Sequence, residues 1–317
     1  MKLSIIMPRR NRPFANECEL RSLVCQRFPK DEYELIVLDD STTPETPRIF
    51  KEFSNDLNIR FVHFDGWDAV PAGSYYVAPN GRKGVAFHVN YGIHLALGDV
   101  ILVDGGEMVH LGETLYEMTD PHDVHPALLF HAGAQNVTEE GLRTYDWHDH
   151  PLALVRRHSI WGTLACPPMT DDLEGLIGAS VRAAWLHRIG GYDETYYGGL
   201  GCDDEEMARR LRRAGVTIRS SNRVLFGHIE HPPQSGLADF VQESSAYRAL
   251  RRNRLAKDAG YWKEQERVSY YRPGTEKVPV RANRDRVWGA LLPGLSTWTL
   301  DETIRRLGDA PPLRVVG

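Results

Sequence analysis

Four acids in succession, Asp203, Asp204, Glu205 and Glu206, stand in the stretch GLGCDDEEMARRLRRAG at residues 199–215. Carboxylates in the first turn of a helix complement its partial positive charge. Glu205 with Arg209 and Glu206 with Arg210 also have the acid-first, i,i+4 spacing of surface ion pairs. Asp204 is a different case. Steps of three and four residues lead from it to Met207, Ala208, Leu211 and Ala214, the apolar stripe of the helix. Its carboxylate is therefore aimed at the body of the protein, where it needs a partner or a task. Gly198, Gly199 and Gly201 leave room for something to approach closely. That singles out Asp204 for chemistry, with Asp203 facing the same cleft or capping the helix.

Charge also collects where apolar runs stop. LSIIMP (3–8) is followed by Arg9, Arg10 and Arg12; YELIVLDD (33–40) ends in Asp39 and Asp40; VILVDGGE (100–107) carries Asp104 and Glu107. Between these runs, and with IRFVHF (59–64), lie helical patterns at 14–28, 44–55 and 81–99, the last closed by Gly98. Apolar strands alternating with helices predict a parallel sheet covered on both faces. In such sheets ligands bind outside the carboxyl ends of the strands. Pro8 to Arg12, Asp39 with Asp40, and Asp104 to Glu107 are thus expected to converge on one crevice.

Beyond residue 107 the pattern becomes mixed, with strand-like runs at 127–133, 175–181 and 216–232 and helices near 182–189 and 203–214. Pro232-Pro233 ends the regular region. The reading is a domain over 1–235, in two halves divided near 107, and an arginine-rich extension over 236–317 that is part helical and part irregular. Its segment 246–286 places Arg248, Arg251 and Arg252 on one side of a helix, which suits a helix docked on the domain or a subunit interface with solvated arginines first, and a polyanion second.

A chain of 317 residues, 42% hydrophobic and 26% charged, builds one sizeable core. A net charge of −5 argues against a generally basic nucleic-acid binder. No apolar run reaches the roughly 20 residues that span a bilayer. The start, MKLSIIMPRRN, is too short a hydrophobic stretch for a signal peptide, so a cytoplasmic protein is expected, free or peripheral at the inner membrane surface. The cysteines Cys18, Cys25, Cys166 and Cys202 show no C-x-x-C pairing, which predicts free thiols and no zinc site.

Taken together, LSIIMPRRNR, IVLDDST, GVAFHVNYGIHLALGDVILVD and IGGYDETYYGGLGCDDEEMARRLRRAG resemble, in the expected order, the segments of nucleotide-sugar glycosyltransferases of the GT-A fold, most closely family 2. The resemblance covers residues 3–231 and implies a Rossmann-like mixed sheet flanked by helices. It implies transfer of a sugar from a nucleoside diphosphate, with UDP favoured, to a hydroxyl on a glycan, a lipid-linked or another acceptor. Mn²⁺ or Mg²⁺ would neutralise the departing diphosphate. The same fold also supports a silent nucleotide-sugar-binding module. A sugar nucleotidyltransferase is disfavoured, because PRRNRP replaces a glycine-rich phosphate loop.

The roles follow residue by residue. Asp204 takes the place of the inverting general base and Asp203 that of the acceptor contact. Asp39 matches the contact to the nucleobase, with Asp40 capping the turn. Pro8, Arg10 and Lys83 lie at the donor, Lys83 as a phosphate contact, and Asn90 matches a recurrent helix position. The family's Asp-x-Asp reads Asp104-Gly105-Gly106-Glu107, so its second acid is missing. The implied metal ligands are Asp104, Glu107 and His228, or a variant E-x-x-H set formed by Glu107 and His110, with His231 as a second histidine after the last strand. Trp147, His148, His150 and Trp161 lie where an acceptor loop is expected, since aromatic faces suit sugar rings. A homo-oligomer is compatible with this reading.

Overall fold

The computed structural model describes residues 1–69, 85–147, 178–192, 203–229, 291 and 294–309. Four continuous apolar runs form the parallel centre of a sheet: β1 (Leu3–Arg9), β2 (Tyr33–Asp39), β3 (Ile59–Asp65) and β4 (Val100–Val103). Alternation along β1 divides the core. Leu3, Ile5 and Met7 pack with Leu20, Leu23 and Phe50, from the helices α1 (Pro13–Val24) and α2 (Glu45–Glu52). Ile6, on the opposite face, packs in a cluster with Val89 and Ile93 of α3 (Ala86–Leu95). Burial of both faces is what the unbroken apolar runs require.

The second half adds β5 (Met108–Leu111), the short helices α4 (Thr114–Thr119) and α5 (Pro121–Val124), β6 (Leu128–Val137) and α6 (Glu139–Arg143). Then come β7 (Ala179–Arg182), α7 (Ala183–Ile189), α8 (Asp203–Arg213) and β8 (Thr217–Ile229). A last strand, β9 (Ser296–Trp298), and helix α9 (Leu300–Asp309) come from the C-terminal extension. Among the described residues the sheet order is β5-β8-β6-β7-β4-β1-β2-β3-β9. β7 runs antiparallel to β4 and β6, β5 antiparallel to β8, and β9 antiparallel to β3, so the sheet is mixed.

Several elements differ from the sequence reading. The strand expected over 100–107 stops at Val103; a turn follows, and Met108–Leu111 leaves as β5 to pair with β8 at the other end of the sheet. The helix expected over 81–99 is observed over Ala86–Leu95, and Gly98 does not close it. Gly98 instead lies against β1. Its N–H donates to Ser4 Oγ at 2.8 Å, and a Cβ there would fall 2.4 Å from the Ser4 nitrogen. His228 lies within β8 rather than after it. The described part of the extension is not separate from the sheet, since it supplies the ninth strand. Residues 246–286 lie outside the described residues. Among those described, no helix is long and apolar enough to cross a membrane. Cys18 and Cys25 are free thiols, while Cys166 and Cys202 fall outside the described residues.

The backbone contact at Gly98 gives a test. Gly98→Ala is expected to lower the free energy of unfolding by about 1–3 kcal/mol, the usual cost of forcing volume into a packed interior. Urea unfolding measures it, and wild-type stability would show that β1 can yield there.

Candidate active site

The carboxyl ends of β1 and β2 carry two loops laced together. The Asp40 N–H donates to the Arg9 carbonyl at 3.0 Å, and Arg10 Nη1 donates to both the carbonyl and Oδ2 of Asp40 at 2.8 Å. Asn11 has φ 48°, a left-handed conformation that asparagine tolerates better than most residues. Its N–H donates to Ser41 Oγ at 2.9 Å, and its side chain exchanges two hydrogen bonds with Thr42. Arg12 N–H donates to Thr46 Oγ1 at 3.0 Å. Pro8 is half-buried in β1, and Arg10 is exposed.

The two aspartates closing β2 part company. Asp39 has no exposure; it accepts from Ser41 Oγ at 2.6 Å on Oδ1 and from His63 Nδ1 at 2.6 Å on Oδ2. Burial pushes its carboxyl above the usual range, against the opposing pull of His63 and Ser41. Asp40 lines an open cavity of about 890 Å³. Ser41 to Glu45, Arg48, Asp65 and Trp298 complete much of the remaining wall.

At the end of β4, Asp104 is also fully buried, and His110 Nε2 donates to its Oδ2 at 2.7 Å. The guanidinium of Arg9 lies beside them without exposure. It donates to the carbonyls of Pro8 at 2.9 Å and Asp104 at 3.3 Å, and it pairs with the buried Glu19 of α1. Desolvation raises the Glu19 carboxyl well above its ordinary value; Arg9 opposes this and Asp104 reinforces it. Glu19, Asp104 and His110 place ligand-type atoms within 4.8 Å of one another. Among the described residues, Asp104 Oδ1, Glu19 Oε2 and His110 Nδ1 are buried without a hydrogen-bond partner. Two carboxylates, an imidazole and unsatisfied ligand atoms fit a divalent cation in kind.

The three expected metal ligands do not form one group here. Glu107 is ion-paired with Arg12, whereas Asp104 turns inward to His110. His228, half-buried, is paired in register with Met108 across β5 and β8. Glu19 was not legible as a partner, because α1 shows only its own amphipathic spacing in the sequence. His110 was visible through the E-x-x-H spacing.

Asp204 is half-buried at the start of α8 and accepts a hydrogen bond from the Tyr192 hydroxyl at 2.6 Å. Asn90 of α3 fixes that tyrosine: its Nδ2 donates to the Tyr192 carbonyl at 2.9 Å and its Oδ1 accepts the Tyr192 N–H at 2.7 Å. Met207, Ala208, Leu211 and Ala214 are buried, as the spacing from Asp204 requires. Arg210 is not on the surface as expected. It is fully buried and donates to the Ile189 carbonyl at 2.9 Å, closing the end of α7. Trp147 is half-buried in an edge-on contact with Tyr145, centroids 5.0 Å apart. Lys83, His148, His150, Trp161 and His231 lie outside the described residues, as does the side chain of Asp203.

A family model described as Glycosyl transferase family 2 matches residues 4–164. The chain belongs to that family. A second model, described as the N-terminal domain of galactosyltransferase, matches residues 171–233. Among curated proteins, poly(ribitol-phosphate) beta-N-acetylglucosaminyltransferase TarS of Staphylococcus aureus strain Mu50 is 40% identical over 60 residues, which are 19% of this chain and 10% of that protein. Validoxylamine A glucosyltransferase of Streptomyces hygroscopicus subsp. limoneus is 24% identical over 245 residues, 69% of this chain and 49% of that protein. The chain thus spans from about a tenth to about half of the curated relatives it matches. The crystal structure of S. aureus TarS 1–349 in complex with UDP-GlcNAc superposes with a TM-score of 0.51 at 16% identity, covering 74% of this chain and 60% of that one. The shared architecture is the GT-A fold.

The buried Arg9–Glu19 pair makes a stability prediction within this family 2 chain. Glu19→Ala leaves the guanidinium without its counter-charge and is expected to cost about 3–5 kcal/mol. Guanidinium unfolding measures the loss; a cost under about 1 kcal/mol would show that Arg9 is compensated elsewhere.

Proposed function

We propose that the chain transfers a sugar from a nucleoside-diphosphate donor to an acceptor hydroxyl with inversion, and that Asp204 is the base. The observation that carries this reading is the Tyr192 hydrogen bond at 2.6 Å, held by Asn90, on a carboxylate at the start of a helix whose other inward residues are buried. A donated O–H keeps a carboxylate ionised and fixes its orientation, two requirements of a positioned proton acceptor. In the proposed step the acceptor O–H proton passes to Asp204 as its oxygen bonds to the anomeric carbon. The bond from that carbon to the diphosphate breaks, and the diphosphate leaves with the electron pair.

The donor nucleotide is assigned to the crevice at the ends of β1, β2 and β3, with Arg10 toward the phosphates. Asp39 was the expected nucleobase contact, but both of its oxygens are engaged inside the protein. Asp40, on the cavity wall, is the better placed carboxylate, and Asp39 then serves to hold the loop. A uracil nucleotide is favoured, since TarS binds UDP-GlcNAc. Glu19, Asp104 and His110 would hold a divalent cation, Mn²⁺ or Mg²⁺, which supplies positive charge for the developing diphosphate. Trp147 remains the candidate acceptor-side aromatic among the described residues.

Two measurements test the reading. Screening UDP-, GDP-, CMP- and dTDP-sugars with and without Mn²⁺ is expected to raise the melting temperature with a UDP-sugar, since a ligand at 100 times its Kd contributes about 2.7 kcal/mol. No shift with any nucleotide would refute the donor site. Asp204→Asn is expected to bind the same donor yet lose about 10²–10⁴ in transfer rate. Near-normal transfer by the folded variant would refute the base.

A further inference from the structure

The C-terminal unit is joined to the donor loops by an unbroken line of contacts. β9 pairs antiparallel with β3, and the register places Trp298 opposite His63. The two rings are stacked, with centroids 5.0 Å apart and planes at 21°. On the Trp298 ring also lies the Arg306 guanidinium of α9, 4.6 Å from its centroid. His63 Nδ1 donates to Asp39 Oδ2, Ser41 Oγ donates to Asp39 Oδ1, and the Asn11 N–H donates to Ser41 Oγ. Asn11 adjoins Arg10 and holds a left-handed backbone at φ 48°, so its conformation depends on the bonds that fix it.

The same unit also walls the cavity. Trp298, Leu307 and Gly308 line it together with Asp40 to Glu45. Two exposed contacts tether the unit nearby: Ser296 Oγ to Asp65 Oδ2 at 3.1 Å and Lys51 to Asp301 at 2.9 Å. The tail thus seats its tryptophan on the imidazole that bonds Asp39. Stacking on Trp298 and the hydrogen bond to Asp39 together hold the His63 ring in one orientation, and a fixed ring fixes the carboxylate.

We infer that the Ser296–Asp309 unit is a working part of the donor site, with Trp298 and His63 as positioning residues that set the Asp39–Ser41–Asn11 line and hence the loop carrying Arg10 and Asp40. The inference rests on the donor-site reading above and adds that the Trp298 ring on His63 sets how tightly the pocket takes its nucleotide. Trp298 is part of the cavity wall, and in this scheme its effect on the loops passes through His63.

The experiment compares Trp298→Leu, Trp298→Phe and Asp301→Asn in the full chain. The first removes the ring, the second keeps an aromatic face, and the third breaks only an exposed tether. UDP affinity by calorimetry and amide exchange at Asn11 are read for each, beside the melting temperature. Trp298→Leu is expected to weaken UDP about tenfold, within the range of coupling through a packed contact, and to speed exchange of the Asn11 amide. Trp298→Phe is expected to restore most of both, and Asp301→Asn to change neither. Wild-type exchange at Asn11 in Trp298→Leu overturns the relay whether or not UDP is the donor. Faster exchange with unchanged UDP affinity overturns the role in binding. Faster exchange in a wild-type background that binds no nucleotide refutes the donor site itself, and this inference with it. Equal loss in all three variants makes the unit a general stabiliser and overturns the proposal.

Discussion

A guanidinium with no access to water sets the terms for the crevice. Removing a charge from water costs several kcal/mol unless hydrogen bonds and a counter-charge replace the hydration. Arg9 finds its replacements on three separate pieces of chain: the carbonyl of Pro8 in β1, the carbonyl of Asp104 beyond β4, and the carboxylate of Glu19 in α1. None of these can move far without uncovering the charge. The ends of two parallel strands and one helix are thereby held in register, at the point where a Rossmann-like sheet opens toward ligand. Asp104 and His110 extend the same buried group to β5, and so tie the turn after Val103 to the strand that leaves across the sheet.

Much of the nucleotide half was readable because β1, β2 and β4 are short apolar runs buried on both faces and longer stretches with helical spacing lie between them, so run length and spacing identify the elements. The Asp204 helix was readable for the same reason: counting by threes and fours puts Asp204 with Met207, Ala208 and Leu211, and all three are buried. Arg210 is buried rather than on the surface because a tertiary acceptor, the Ile189 carbonyl at the end of another helix, lies within reach of its guanidinium, and spacing from Glu206 alone carries no mark of that.

Asp39 and Asp40 show where sequence stops. Neighbouring residues at a strand end point to opposite sides, so one carboxylate goes to the interior and the other to the cavity. The string Asp-Asp carries no mark of which is which. The distant partner that draws Asp39 inward is His63 on β3, and it has no local signature. Glu19 was hidden similarly, since a buried acid in a helix is recognisable only once its cation is known. The short strand β5 was missed because Asp104-Gly105-Gly106-Glu107 reads as the end of the preceding strand, and only four residues, Met108–Leu111, follow before the next turn.

β9 also has a consequence in time. Ser296 and its partner Asp65 are 231 residues apart in the chain. At synthesis rates of about 5–20 residues per second, that span takes roughly 10–50 s to emerge from a ribosome. Throughout that interval β3 is an unprotected sheet edge, open to pairing with a foreign strand. Closing so long a loop adds only slowly to the entropic cost, so the edge is endangered more by delay than by energetics. A nascent chain of this design is therefore expected to lean on chaperones at β3 until its own tail arrives to cover it.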